Sequence, residues 1–495
     1  MKSFKHVIVV LIMLAFAPQS PAGGVTVTVN GQDAGPTPFI SLLDVTLSNA
    51  SALKSVQFTI EPKPQSVSRP ISVTYSGAYL QQRGYLDTET GHLTVPVFGL
   101  YADYNNTVAM KYKFKGSSFK DTIMISTPAF EDPTGAYTNP TILQARMPKA
   151  KLSYDFMMLK NYGSEYAPII IDTDAEVRWV GPAGAAGVEG VSSSSAMLYE
   201  NSIYMSDITS IVRLEFDGSF SFVGDYADMD VTMIHHNFDS GKNGILVEVD
   251  TQTTTESVII EIDGSGNVLK TWNLADIISS AMTADGDDPS AFVRLPDDWF
   301  HSNAATYQKS DDSLIVSSRE NFVIALDYET GAIKWILGDS TKAWYQYPSL
   351  RKYALALDKD TLPPIGQHAV SVIKNNNLLL FDNGANSLEH DPAGENRTYS
   401  TPRKYKINTK KMTAKEVWDY PRDESVTSPY CSSVYEDRKK NYLIGYSVGG
   451  PFIFTEIVGV NSRDEIVFDY SYPAMNGCGT AFNSTIVHLE NMTFE

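Results

Sequence analysis

The sequence predicts an all-β protein, a six-bladed β-propeller preceded by a small amino-terminal β-sandwich, and three observations lead there. The chain is rich in aromatic residues, with 27 Tyr and 22 Phe among 495 residues, and these side chains suit pleated surfaces. Short apolar runs alternate with Gly, Pro, Asn and Asp punctuation along most of the length, the mark of strands joined by tight turns. A strand, a turn led by Asp or Asn, and a second strand then recur six times, which is how a repeat architecture announces itself.

The first residues, "MKSFKHVIVVLIMLAFAPQSPAGG", place Lys2 and Lys5 before an apolar run from Val7 to Phe16, with small residues at Ala15, Ala17 and Ala22. This reads as a cleaved secretory signal peptide over residues 1–22, so a periplasmic location is expected. The run is too short to span a bilayer. Residues 24–135 follow as runs such as "VTVTVNG", "SVQFTIEPKP", "ISVTYSG" and "DTIMIST", the signature of a small antiparallel sandwich. A linker rich in Pro and poor in aliphatics, Ser126 to Pro140, leads into the repeats, which are expected to fill residues 141–495.

The six copies turn at Asp172, Asp217, Asp263, Asp327, Asn408 and Asn461. Their spacing, about 45 residues plus insertions, fits four-stranded blades that bury their faces against one another. Helical periodicity is scarce apart from "NLADIISSAMTA", Asn273 to Ala284, so a doubly wound α/β fold is disfavoured. The formal charge of −19 argues against nucleic acid and anionic membranes as partners, and an anionic substrate then needs a local positive pocket. The two cysteines, Cys431 and Cys478, are open to two readings, pairing in an oxidising compartment or free and buried in a large domain, and the closure of a ring would make them neighbours.

A second register runs ahead of the hairpins. His235 and His368 each precede a turn asparagine, Asn243 and Asn376, by the same interval, and His301 fits the same frame with a longer turn. Three successive blades thus present a histidine, with Asn303 and Arg319 nearby. A single strand histidine is ordinarily a satisfied core residue. Three at equivalent positions, each needing its own partner if buried, point to a site. Zinc is disfavoured because a guanidinium among the ligands would repel it, and the acidic turns "DGSGN" and "ADGDDPS" are explained as solvated loops without calcium. His, Asn and Arg together suit an anion with several oxygens.

The stretch "DWFHSNAATYQKSDDSLIVSSRENFVIALDYETGAIKWILGD", with "HHNFD", "GQHAVSVIKNNNLLLFDNG" and "PVFGLYADYNNTVAM", resembles the bacterial arylsulfate sulfotransferases that do not use phosphoadenosine phosphosulfate. The resemblance covers nearly the whole chain after the leader. It implies an amino-terminal sandwich, a six-bladed propeller, and transfer of a sulfuryl group from an aryl sulfate to a phenol through a sulfohistidine, with no cofactor. By position it implies His368 as nucleophile, His301 and Arg319 as catalytic partners, and Asn303 and His235 as substrate-binding groups. His236, on the opposite face by simple alternation, is the second choice for that last position. Arg319 is expected to clamp two sulfuryl oxygens in a bidentate fork. Two departures stand out: Asn237 where the family commonly has Asp, and no cysteine pair just before the nucleophile. A homodimer is an assembly the reading allows for. The competing readings are a non-catalytic exported propeller that binds a carbohydrate or a protein, and a quinoprotein-like dehydrogenase, for which nothing beyond shared β-repeats speaks.

Overall fold

The computed structural model describes residues 25–182, 193–374 and 377–495. The expected signal peptide and the turn residue Asn376 lie outside them. The chain is all-β, as expected. In the amino-terminal part, strands Val27–Ala34, Ile40–Leu47 and His92–Phe98 form one sheet, and Leu53–Ile60, Ile71–Ser76, Asn105–Phe114 and Ser117–Ser126 form another. Alternating residues of Ile71–Ser76 and Asn105–Phe114 are buried, so each strand gives one face to the core and one to solvent.

Beyond this part the described residues make six further sheets, four of them with four antiparallel strands and the last two with such a set extended by a fifth strand, Ala356–Leu357 in parallel and Thr141–Gln144 in antiparallel pairing. The third runs through Val231–Ser240, Ile245–Thr251, Val258–Ile262 and Val268–Asn273; the fourth through Ser302–Gln308, Ser313–Ser318, Phe322–Asp327 and Ile333–Gly338. The fifth begins at His368–Ile373 and the sixth at Ser433–Asp437. The first strands of sheets three to six lie against one another, and Asn483–Val487 continues the series as the edge strand beside Phe156–Lys160 of the first sheet. That late strand joins the end of the repeat region to its beginning. Strands inside the sheets, such as Asn441–Val448, are buried along their whole length, because neighbouring sheets cover both faces.

The six turn residues have one physical job. The side-chain oxygen of each accepts backbone N–H groups two to four residues on: Asp172 from Asp174 and Glu176, Asp217 from Ser219, Asp263 from Ser265 and Asn267. Asp327, Asn408 and Asn461 do the same for Thr330, Lys411, and Arg463 with Glu465. Each closes the hairpin between the third and fourth strand of its sheet, the bond that favours Asp and Asn in turns. The expected helix forms over Leu274–Ala284, with Asn273 as its N-cap bonding the N–H of Ala275 and Asp276. No helix among the described residues is long and apolar enough to cross a membrane.

The amino-terminal layer is fastened to the first repeat sheet by buried polar contacts. Arg178, 1% exposed, donates to the Gly99 carbonyl through Nε and Nη2 and to Asp172 through Nη1 at 2.9 Å. Its guanidinium lies 3.7 Å from the Tyr101 ring centroid. Fully bonded in this way, the buried cation is not left uncompensated. The last strand of the chain, Met492–Phe494, pairs in parallel with Ile71–Ser76, so the chain end packs in the amino-terminal layer. Phe494 sits among Tyr75, Tyr79 and Phe98 at ring distances of 5.1, 5.2 and 6.3 Å. Replacing it by Ala empties this cluster and is expected to cost about 3 kcal/mol, read as a lowered urea midpoint; an unchanged midpoint would show that this strand does not tie the two parts together.

Candidate active site

The first strands of sheets three, four and five share a defect, within the strand in sheet three and at its head in sheets four and five. The pairing register slips between His235 and Phe238, between Ser302 and Ala304, and between His368 and Ser371. At or just before each slip a non-glycine residue adopts the left-handed conformation: His236 at φ 54°, His301 at φ 53°, Ala369 at φ 53°. Such conformations carry strain and cluster at functional sites, and bulges re-aim side chains. In this frame His301 is the counterpart of His236, whereas His368 stands one residue earlier, level with His235.

The bulge overturns the alternation argument that turned His236 away. The His236 ring lies 4.9 Å from that of His301 and 5.5 Å from Phe482. His235 stands behind it, its Nδ1 2.7 Å from His236 Nδ1 and its Nε2 3.4 Å from Asp250. Burial above all, helped by the other histidines and opposed by the charge of Glu256, holds His236 well below its ordinary pKa, so its ring is neutral.

His368 is 3% exposed. Its Nδ1 lies 2.9 Å from Asn383 Oδ1 and 3.1 Å from the Gly366 carbonyl. Both partners accept, so Nδ1 carries the hydrogen and Nε2 the lone pair. The Asn383 amide cannot turn round, because its Nδ2 already donates to the carbonyls of Ser428 and Cys431 at 2.7 and 3.0 Å. Among the described residues nothing bonds Nε2. Burial first, then the charge of His301, pushes the His368 pKa down to about 3, with Arg319 adding to the effect. The imidazole is a neutral base with its free nitrogen bare.

His301 is the opposite case. Its Nδ1 donates to Asp298 Oδ2 at 2.5 Å and lies 2.6 Å from Glu256 Oε2. Burial alone would lower its pKa, but these two carboxylates raise it to about 10, so His301 is an imidazolium at neutral pH. Neither carboxylate was expected: Asp298 stands three residues before His301 in "DDWFH", and Glu256 comes from a loop of the adjacent sheet.

Arg319 is buried at the end of Ser313–Ser318, and its backbone N–H donates to the His301 carbonyl at 3.0 Å. One arm of its fork is committed, since Nη1 bonds Glu320, whose other oxygen accepts the N–H of Leu388 and Glu389 at 2.7 and 3.0 Å. The expected two-armed clamp is therefore reduced on that side. Nη2 is buried and has no partner among the described residues, a costly state that a ligand oxygen would relieve. Asn303 gives one amide hydrogen to the Gln367 carbonyl at 2.8 Å, which joins sheet four to the head of sheet five, and leaves Oδ1 unpartnered. The Tyr430 ring lies 5.0 Å from the Arg319 guanidinium and stacks on Phe452, so Tyr430 and Phe482 are the aromatic walls that the sequence did not single out.

Two triplets bring donor atoms within 4.8 Å of one another, His235, His236 and Glu248, and His236, Glu256 and His301. These residues could hold a cation. The second set would first have to release the hydrogen that Asp298 and Glu256 hold on His301. A cavity of about 290 Å³ is lined by Lys160, Asp239, Tyr435 and His488 and by none of His235, His236, His301 and His368.

Comparison with known proteins agrees with the geometry. Residues 142–477 match the family model described as Arylsulfotransferase (ASST), and residues 36–128 that of the Arylsulfotransferase Ig-like domain. The chain belongs to the arylsulfotransferase family. It is 23% identical over 543 aligned positions to the arylsulfate sulfotransferase AssT of Escherichia coli O6:H1 (strain CFT073), covering 87% of this chain and 86% of that one. To the AssT of Lelliottia amnigena it is 22% identical, with 88% and 87% covered. Among solved structures, the β-propeller domain of Cps50 (Swd1) from Myceliophteria thermophila superposes with a TM-score of 0.35 at 8% identity, over 67% of this chain and 88% of that one, too low to carry an argument.

The charge on His301 generates a prediction. Its folded-state pKa, about 10, lies above the ordinary 6.5, so the stability it contributes is complete below pH 6.5 and is lost as pH rises towards 10. An NMR titration should show the His301 ring protonated past pH 8 in the native chain and titrating markedly lower in Glu256→Gln. Titration near 6.5 in the native chain would contradict the assignment.

Proposed function

We propose that the protein transfers a sulfuryl group from an aryl sulfate ester to a phenolic acceptor by two displacements at His368. Family membership supports the activity, and the observation that carries the mechanism is the neutral, buried His368 with Nδ1 bonded to Asn383 and Nε2 free.

In the first displacement the Nε2 lone pair attacks sulfur and the bond from sulfur to the aryl oxygen breaks, its electron pair leaving on the phenolate. A phenol has a pKa of about 10, and His301 is held at about 10, so the imidazolium can hand its proton to the leaving oxygen without a steep penalty either way. Charge on the three transferring oxygens is spread as in loose phosphoryl transfer, and the unpartnered Nη2 of Arg319 is the donor placed to meet it. The adduct keeps the Nδ1 hydrogen on Asn383, so the ring that carries the sulfuryl group is an imidazolium and a good leaving group. In the second displacement neutral His301 takes the hydrogen of the acceptor phenol, the phenoxide attacks sulfur, and the bond to Nε2 breaks. His236 and Asn303 complete the wall around the sulfuryl group, and Tyr430 and Phe482 offer faces to the aryl rings.

We read the six sheets of four or five strands as the blades of one propeller over residues 141–495, closed by Asn483–Val487, with residues 24–135 as the sandwich. The Cys431–Cys478 disulfide and the leader support a periplasmic location.

Purified protein should move sulfate from a chromogenic aryl sulfate to phenol, giving parallel lines when one substrate is varied at fixed levels of the other. His368→Asn should lower turnover by at least about 10³-fold with the fold kept, and Arg319→Ala by about 10² to 10³-fold, the scale of losing one oxyanion donor. Intersecting lines with an active His368→Asn protein would mean direct transfer between substrates.

A further inference from the structure

Cys431 and Cys478 form a disulfide, with Cα atoms 6.5 Å apart, so the two cysteines are neighbours as expected. Its surroundings give it a second role. The Cys431 carbonyl accepts from Asn383 Nδ2 at 3.0 Å, and Asn383 Oδ1 accepts from His368 Nδ1 at 2.9 Å. Two residues and two hydrogen bonds therefore separate the sulfur bridge from the imidazole. We propose that the Cys431–Cys478 disulfide is a positioning element of the transfer site, holding the carbonyl that orients Asn383 and through it the tautomer of His368. The proposal rests on the reading of His368 as the sulfuryl acceptor for its effect on turnover, but not for its effect on the ring.

The carbonyl needs such a tie. Cys431 and Ser432 are consecutive non-glycine residues with φ of 54° and 76°, a conformation that persists only where the surroundings hold it. Cys431 lies ahead of strand Ser433–Asp437, and the peptide group that carries its carbonyl is held on its other side by the Ser432 N–H, which donates to the Phe482 carbonyl at 3.2 Å and to Ser447 Oγ at 3.0 Å, so the bridge is the tie on the Cys431 side. The far end of the bridge is well anchored. In the turn that carries Cys478, the Gly479 N–H donates to the Met475 carbonyl at 2.7 Å, and the Gly479 carbonyl accepts the N–H of Tyr162 and Gly163 at 3.0 and 2.9 Å. Phe482 N–H donates to the Lys160 carbonyl at 2.8 Å. The sulfur bridge thus carries the rigidity of the first repeat sheet across to the head of the sixth. It also sets both aromatic walls, since Tyr430 adjoins Cys431 and Phe482 packs on the same apolar cluster as the cystine.

Without the bridge, a shifted Cys431 carbonyl would leave Ser428 as the only brake on the Asn383 amide. A rotated amide would offer its NH₂ to His368 Nδ1, favouring the tautomer with hydrogen on Nε2, which has no lone pair for sulfur.

The test is made on the full chain with nitrogen-15 labelled histidine. In the native protein the His368 ring should show hydrogen on Nδ1 and a bare Nε2. In the Cys431→Ala, Cys478→Ala double variant, shown folded by circular dichroism, the ring should shift towards the other tautomer. Turnover should fall by roughly 100-fold, the scale of an ångström-size misplacement, with KM for the aryl sulfate changing less. Asn383→Ala with the bridge intact should give a similar loss, and combining it with the cysteine variant should add little, because the two act in one chain. A folded cysteine variant that keeps the native tautomer and turnover and only melts earlier would overturn the proposal, as would losses that multiply. Should the double variant not fold, the same ring signals are read on native protein during reduction by a phosphine below its melting temperature. A tautomer that follows loss of the bridge ahead of unfolding supports the proposal, and one that changes only with unfolding overturns it. A tautomer shift alongside an active His368→Asn protein would leave the positioning role standing and remove only the acceptor role of His368.

Discussion

A buried imidazole beside two cations can act as a nucleophile only if its one N–H finds an acceptor and its other nitrogen is left bare. The hydrogen bond from His368 to Asn383 meets that requirement, and much of the surrounding structure serves it. Asn383 is itself fixed by two carbonyls from the head of the sixth sheet. The Gly366 carbonyl adds a second acceptor on the same side. An amide is the apt partner, because it accepts the hydrogen bond without the negative charge that would raise the ring's pKa and draw a proton onto it.

The site also solves a problem of charge. A chain with a formal charge of −19 has to receive an anion. It does so by building cations locally and giving each its own carboxylate partner on the side away from the substrate. Asp298 and Glu256 keep the proton on His301, and Glu320, gripped by two backbone N–H groups, steadies Arg319. The buried cations are then tolerable, while the His368 Nε2 and the Arg319 Nη2 have no partner among the described residues. One geometric device brings these groups together: the bulge in the first strands of sheets three, four and five, which sets consecutive sheets to present histidines towards one another.

What could be read from the sequence is what depends on local chemistry. Asp172, Asp217 and their four counterparts bond N–H groups a few residues on, so the repeat showed itself; Asn273 caps the helix it precedes for the same reason. His301, Arg319 and His368 stand out through that repeat and the family motifs. His236 was misjudged because strict alternation holds only in a regular strand, and a left-handed residue that breaks it leaves no clear mark in composition. Asp298 lay inside the motif but looked like a solvated loop residue. Glu256, Glu320 and Asn383 act through partners from other sheets or from loops, and a single sequence carries no local signal for such pairings. The same applies to the free arm of Arg319, since Glu320 beside it in the chain could as well have faced solvent.

The central claim is that Nε2 of His368 receives the sulfuryl group. The most direct measurement mixes the native protein with an aryl sulfate in the absence of any phenolic acceptor, stops the reaction within the first turnover, and maps the modified peptide. A covalent intermediate on His368 should give a burst of about one equivalent of phenol per active chain and a sulfuryl group on the peptide that contains His368. Release of no phenol until acceptor is added, or a label on another residue, would contradict it.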